Sequence, residues 1–121
     1  MEELTIKKNY ILDMKVGDNI QEVLDNFIKE KKINKASYKG IGAGVDLLVG
    51  ILINHNPVKY KEIKCEGKYE IIGFNGNVRD GKTHTHIILA NNIANSIGGH
   101  FISGKVEYVL QLYIDVYQFS K

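Results

Sequence analysis

Only one stretch of the chain has the period of a helix, and that restricts the fold more than any other feature. Ile20, Val23, Leu24, Phe27 and Ile28 stand at i, i+3, i+4, i+7 and i+8, which makes a single apolar stripe. Asp18 and Gln21 have capping-box spacing just after Gly17, so the helix is expected to open at Asp18. Lys29, Lys31 and Lys32 close it, where positive charge suits the end of the helix dipole. Together with Lys35 they read either as a solvated helix end or as a phosphate-facing patch. One amphipathic helix cannot enclose a core alone. Its stripe must lie on a surface built by the remaining residues, and those alternate with the period of strands.

Val106, Tyr108, Leu110, Leu112, Ile114 and Val116 recur at every second position, which predicts a strand with one buried face. Val58 to Cys65 alternates as a half-exposed strand, rich in lysines that suit a sheet edge. Tyr10–Lys15, Val45–Ile53, Tyr69–Val78 and His84–Ala90 read as further strands, with another near Ala36–Gly44. Asn54-His55-Asn56-Pro57 is a turn by composition, and His55 belongs to the surface there. Asp80-Gly81 is a strong hairpin signal. The expected architecture is α+β: a largely antiparallel sheet of about seven strands with one main helix. It forms a single domain over residues 1–121, with its core in about 10–117. Gly40, Gly42 and Gly44 resemble a nucleotide loop only superficially. A dinucleotide fingerprint needs a helix opening at its last glycine, and the β-rich Val45–Ile53 follows instead. Bending of strands, or close backbone approach, is the better reading of these glycines.

The chemistry concentrates in Asp80–Val106. His84 and His86 lie two residues apart on a strand and so face the same way, about 6.5–7 Å apart along the chain. Two imidazoles at that spacing can share one metal ion, each bonded at about 2.0–2.1 Å. A third ligand must come from elsewhere. His100 is the candidate, reached through a polar turn (Asn91, Asn92, Asn95, Ser96) and the flexible pair Gly98-Gly99. Three histidines leave a fourth position open to water, an anion or a substrate, as catalytic zinc sites do. The same three residues also read as polar histidines, hydrogen-bonded in a groove or at a subunit contact.

HTHIIL followed by SIGGHFISGKV resembles the signature of the PPC (plants and prokaryotes conserved) domain, with its H-x-H and later G-G-H segments. The resemblance extends to Gly40-Ile41-Gly42, Lys68–Ile72, Gly76-Asn77-Val78 and Val16-Gly17-Asp18, and spans about residues 10–117. It implies the family's α+β fold, a homotrimer, and a divalent metal, zinc by ligand type, on His84, His86 and His100. Plant members carry the domain after AT-hooks in nuclear proteins. Prokaryotic members are usually the bare domain, described as DNA-binding. This chain has no AT-hook-like RGRP. Family members often have Glu near Gln111 and a basic residue near Asp13. Gln111 cannot take a proton, so acid–base chemistry through that position is not expected.

Charge bears on the DNA reading. Sixteen basic and fourteen acidic side chains leave a net charge of +2, and Arg79 is the sole arginine. Phosphate-driven binding favours a basic domain, and guanine readout favours arginine. DNA association is therefore weakly supported. One cysteine, Cys65, excludes an intramolecular disulfide, suits a reducing cytoplasm and reads as a buried apolar residue. The charged start MEELTIKK suggests no signal peptide, and no apolar run reaches the ~18 residues of a membrane helix.

Two functions follow. The first is a binding or regulatory module, associated with DNA or proteins, that carries the metal site. The alternative is a metal-dependent enzyme or small-molecule sensor with an open zinc position. For catalysis Glu70 and Asp80 are the remaining general bases, though neither is placed near the histidines by the sequence. A non-enzymatic role is the stronger expectation. Gly98, Gly99, Gln111 and Glu70 are the expected neighbours of the site.

Overall fold

The computed structural model describes residues 1–119. The element order is β1 (Leu4–Lys15), α1 (Ile20–Glu30), β2 (Lys35–His55), β3 (Val58–Arg79), β4 (Lys82–Ala90) and β5 (Ser96–Phe119). The pairing order is β1-β5-β2-β3-β4, all antiparallel, and β4 pairs in turn with β5. Strands β2 to β5 therefore close on themselves, and β1 lies outside β5. Closure removes the free edges of those four strands.

Five strands replace the expected seven. The apparent breaks in the sequence are bends inside continuous ladders. β2 and β3 pair from Lys35↔Arg79 to His55↔Val58, with irregularities at Gly40/Gly42, Val45/Leu47 and Leu52/Asn54. Asp46 and Gly67 both have positive φ, 54° and 88°, and lie at the same level of this hairpin. Both strands thus turn together and the ladder survives, as bulges allow. Past Gly50 the hairpin outruns the core, and Val58–Glu62 is exposed throughout.

The core is a closed apolar cluster in which Phe74, Leu47, Ile71, Ile87, Leu89, Leu110, Leu112 and Ile114 are fully buried. Of the alternating residues in Val106–Val116, Tyr108 points out and is 78% exposed. The register explains it: Gly42 pairs with Leu110 and Gly44 with Val106, so four steps of β5 face two of β2. Tyr108 sits in that bulge. Asp80 and Gly81 form the expected two-residue turn with φ of 53° and 75°, the left-handed pair of a type I′ hairpin. Cys65 is buried, and burial raises its thiol pKa.

The helix buries Ile20, Leu24 and Ile28, while Phe27 meets Tyr10 edge-on at 5.2 Å. Its N-cap is Asn19, not Asp18: the Asn19 carboxamide oxygen accepts from the Glu22 backbone N–H at 3.0 Å. The Asp18 carboxylate is already engaged, accepting from the Lys15 N–H at 2.9 Å. Gln21 turns away from the cap and donates to Asp25 and Thr83. Lys29, Lys31 and Lys32 are exposed at the far end, with Lys31 Nζ 5.8 Å from the centre of the Tyr10 ring. Among the described residues no helix is long and apolar enough to cross a membrane.

Truncating the buried face of the helix tests this packing. Leu24→Ala should cost about 2–5 kcal/mol by urea denaturation. Asn19→Ala should cost about 1 kcal/mol through the lost cap. An Asn19→Ala protein with wild-type stability would contradict the cap assignment.

Candidate metal centre

Thr85, Ile87 and Leu89 of β4 point into the core, so His84 and His86 necessarily face out. The turn Asn91–Asn95 then reverses the chain. Asn91 Oδ1 accepts from the backbone N–H of Ile93 and Asn95, at 3.0 and 2.9 Å. The return register pairs Ala90 with Ser96 and ends with His86 opposite His100. Directly paired residues share a face, so the third imidazole joins the first two. One nitrogen from each of the three lies within 4.8 Å of the others. Ring centroids are 5.0 Å apart for His84–His86 and His84–His100, and 6.3 Å for His86–His100.

Nitrogens around one tetrahedral zinc stand about 3.3–3.4 Å apart, given bonds of about 2.0–2.1 Å. The three nitrogens, within 4.8 Å of one another, would have to draw closer to bond one ion. Three neutral nitrogen donors suit a divalent ion of zinc type. His100 Nδ1 is buried and has no hydrogen-bond partner in the protein. A buried polar atom left so is costly, and a bound ligand would satisfy it. The residues present therefore fit a metal. Burial, then the neighbouring His84 and His86, hold the His100 pKa below its ordinary 6.5. His100 is accordingly neutral at pH 7, the form that ligates metals.

Gly98 and Gly99 line a groove with His86 and His100. A side chain at Gly98 would meet the Ile87 carbonyl oxygen at 2.8 Å, and one at Gly99 the Gly50 carbonyl oxygen at 2.6 Å. These two glycines let β5 pass between β4 and β2 and deliver His100. Glu70 and Gln111 are placed together elsewhere, in a groove with Gly42 and Tyr108. Glu70 pairs with Ala90, at the opposite end of β4 from His84. Asp80 occupies the β3–β4 turn, and His55 is exposed at the far end of the β2–β3 hairpin.

Three residues of the site escaped the sequence reading. Asn75 and Asn77 pair with His86 and His84 and line a groove with them. This was within reach: a two-residue turn at Asp80-Gly81 fixes the register, and Asn-x-Asn then falls opposite His-x-His. Tyr60 stacks on His100 with centroids 5.0 Å apart and planes 24° from parallel. No local signal marks it, because its approach depends on three strands meeting.

The molecule defined by this geometry is a small, closed antiparallel sheet with one covering helix and a histidine trio on its outer face. The chain belongs to the Plants and Prokaryotes Conserved domain family, whose pattern matches residues 1–119. Among solved structures it is similar to a plant- and prokaryote-conserved protein of Pyrococcus horikoshii, at 28% identity and a TM-score of 0.89, covering 98% of this chain and 85% of that one. A metal-containing protein of Archaeoglobus fulgidus has the same fold, at 22% identity and a TM-score of 0.86, covering 99% and 86%. So does a candidate DNA-binding protein of Bacteroides thetaiotaomicron, at 22% identity and 0.80, covering 98% and 99%. No curated protein matches the chain.

The depressed His100 pKa has a sign that can be checked on metal-free protein. The unfolded chain takes up the proton first, near the ordinary value of 6.5. Stability is therefore full above that pH and is lost as pH falls through the lower folded value. His100→Asn should flatten the decline in urea midpoint as pH falls below the ordinary value of 6.5. An unchanged pH profile in that variant would contradict the assignment.

Proposed function

We propose that this chain is a cytoplasmic, homotrimeric binding module. It holds one divalent ion, zinc by ligand type, on His84, His86 and His100. The observation that carries this reading is the convergence of one nitrogen from each of three imidazoles within 4.8 Å, and the buried, unpartnered Nδ1 of His100 agrees with it. The Archaeoglobus protein of the same fold, described as metal-containing, agrees with it. When bound, such an ion polarises an oxygen ligand or acidifies a water. The chain's own groups do the rest. Asn75 and Asn77, beside His86 and His84, offer amide hydrogen bonds to whatever oxygen sits there.

Neither groove that contains the histidines is lined by a carboxylate, which favours binding or sensing over turnover. Metal-dependent catalysis is the alternative and would need a base brought by a partner subunit or by the substrate.

Assembly is supported by the outer face of the sheet. Ile41, Ile72, Ile88 and Tyr113 surround one shallow groove and are 46–62% exposed. Ile11, paired with Tyr113, extends the patch. A contiguous apolar surface of this kind marks an interface.

DNA association is a second reading, favoured by relatives of this fold described as candidate DNA-binding proteins. The net charge of +2 and the single arginine, Arg79, weigh against it. Labelled duplex titrated over a salt series decides it. Phosphate-driven affinity must fall steeply with salt, and no binding at low salt removes the reading.

Elemental mass spectrometry on untagged protein should find about one zinc-type ion per chain, a stoichiometry set by one three-ligand site. His84→Ala should lose it, with the sedimenting trimer intact. Wild-type protein free of metal after zinc incubation would overturn the metal reading. A sedimenting monomer would overturn the trimer.

A further inference from the structure

The three histidines occupy one wall of a larger space. On the side of His86 and His100 away from His84, the sheet opens into a groove of about 480 Å³. That size falls in the range of about 300–1,000 Å³ that small-molecule sites occupy. Its other walls are aliphatic and aromatic: Ile51, Leu52, Tyr60 and Ile88. No lysine, arginine, aspartate or glutamate lines it.

The groove owes its shape to a specific arrangement on β2. Gly50 is paired with His100 on one side and Glu62 on the other. A side chain at Gly50 would come within 3.2 Å of Tyr60 Cδ1 and 3.3 Å of Ile102 Cδ1. The missing side chain leaves the gap through which the Tyr60 ring crosses β2 and stacks on His100. The β2–β3 hairpin thus folds an aromatic wall onto the histidine cluster, and Leu52, paired with Tyr60, extends that wall outward. Leu52 is 41% exposed and Ile88 47%, so apolar surface stands open beside polar ligands.

We propose that this groove binds the body of a small monoanion: a carboxylate whose oxygen takes the open metal position and whose short apolar tail lies against Tyr60, Leu52, Ile51 and Ile88. The proposal rests on the metal reading above. Three neutral imidazoles leave the charge of a divalent ion uncompensated, and no acidic side chain of the groove offsets it, so an anionic head is favoured. The absence of any cation along the walls offers nothing to a second or third negative charge. Phosphate esters and nucleic acid are accordingly disfavoured, while an apolar tail gains by leaving water. Gly98 and Gly99 contribute floor without bulk.

The test uses the full chain loaded with cobalt(II), whose visible absorption reports both the ligand set and any anion that joins it. Acetate, hexanoate and inorganic phosphate are titrated separately. Hexanoate should bind at least about tenfold more tightly than acetate, because its extra methylenes are buried, and phosphate should not exceed acetate. Leu52→Ser should bring hexanoate down towards acetate, leaving acetate affinity and the anion-free cobalt spectrum in place, and Tyr60→Ala should likewise narrow the gap between hexanoate and acetate. Equal affinities for acetate and hexanoate would overturn the proposal, and so would tighter phosphate binding or a hexanoate preference untouched by either variant. Failure of cobalt to bind at all would be different in kind. It would remove the metal reading, and this proposal with it.

Discussion

Everything at the histidine cluster depends on one meeting of strands, the point where β5 pairs with β4 and β2 at once. His100 is opposite His86 on one side and Gly50 on the other. This contact closes the sheet, ends the free edges of four strands and brings the third imidazole to the first two. Backbone pairing costs the same polar groups wherever it occurs, so closure brings hydrogen bonds to atoms that would otherwise face water. It also demands that three backbones pass close together. Gly50, Gly98 and Gly99 stand at that crossing, and each would set a side chain against a neighbouring strand or side chain. Fold and site are in this sense one constraint: the residues that permit closure are those that border the ligands.

The alternation of β4 assigns two environments to one strand. Thr85, Ile87 and Leu89 belong to the core, and Thr85 shares a buried hydrogen bond with Tyr38. Burial pushes the Tyr38 hydroxyl pKa up to about 12, so it stays protonated and able to donate. A one-residue slip would place both histidines in the apolar interior and put Ile87 and Leu89 in water, which the period of two makes prohibitive. The Asp80-Gly81 turn enforces the same register from the other end. The imidazoles are therefore held by a rigid element at a fixed spacing, the condition under which a metal site needs little reorganisation.

Much of this was legible beforehand, and what was not has a physical reason. The helix stripe, the Asp80-Gly81 hairpin and the trio His84, His86 and His100 are local patterns, and local patterns survive into the structure. The strand count comes out too high because the glycine-rich Gly40–Gly44 and the segment between Cys65 and Tyr69 each divide one continuous strand in two. Asp46 and Gly67 bend the two strands together across their hairpin, visible only once the pairing is known. Asp18 and Asn19 are both good caps in isolation. A backbone bond from Lys15 occupies the first and leaves the second to the helix. Tyr60 lies forty residues from His100 and reaches it over a glycine of a third strand, a relation with no trace in either segment's own pattern.

The distribution of charge and apolar surface separates the candidate partners better than the fold does. A domain that reads nucleic acid concentrates cations where it touches phosphate. Here the grooves beside the histidines contain no cation, and the exposed lysines Lys59, Lys61 and Lys64 stand on the projecting hairpin instead. What the outer face does concentrate is exposed isoleucine and tyrosine, Ile41, Ile72, Ile88 and Tyr113. Ile88 belongs to this patch and also to the groove beside His86 and His100. A surface that buries the patch against another subunit would therefore border the groove as well. Assembly and ligand access would then be coupled through a single side chain, with the histidine cluster at the rim of the interface.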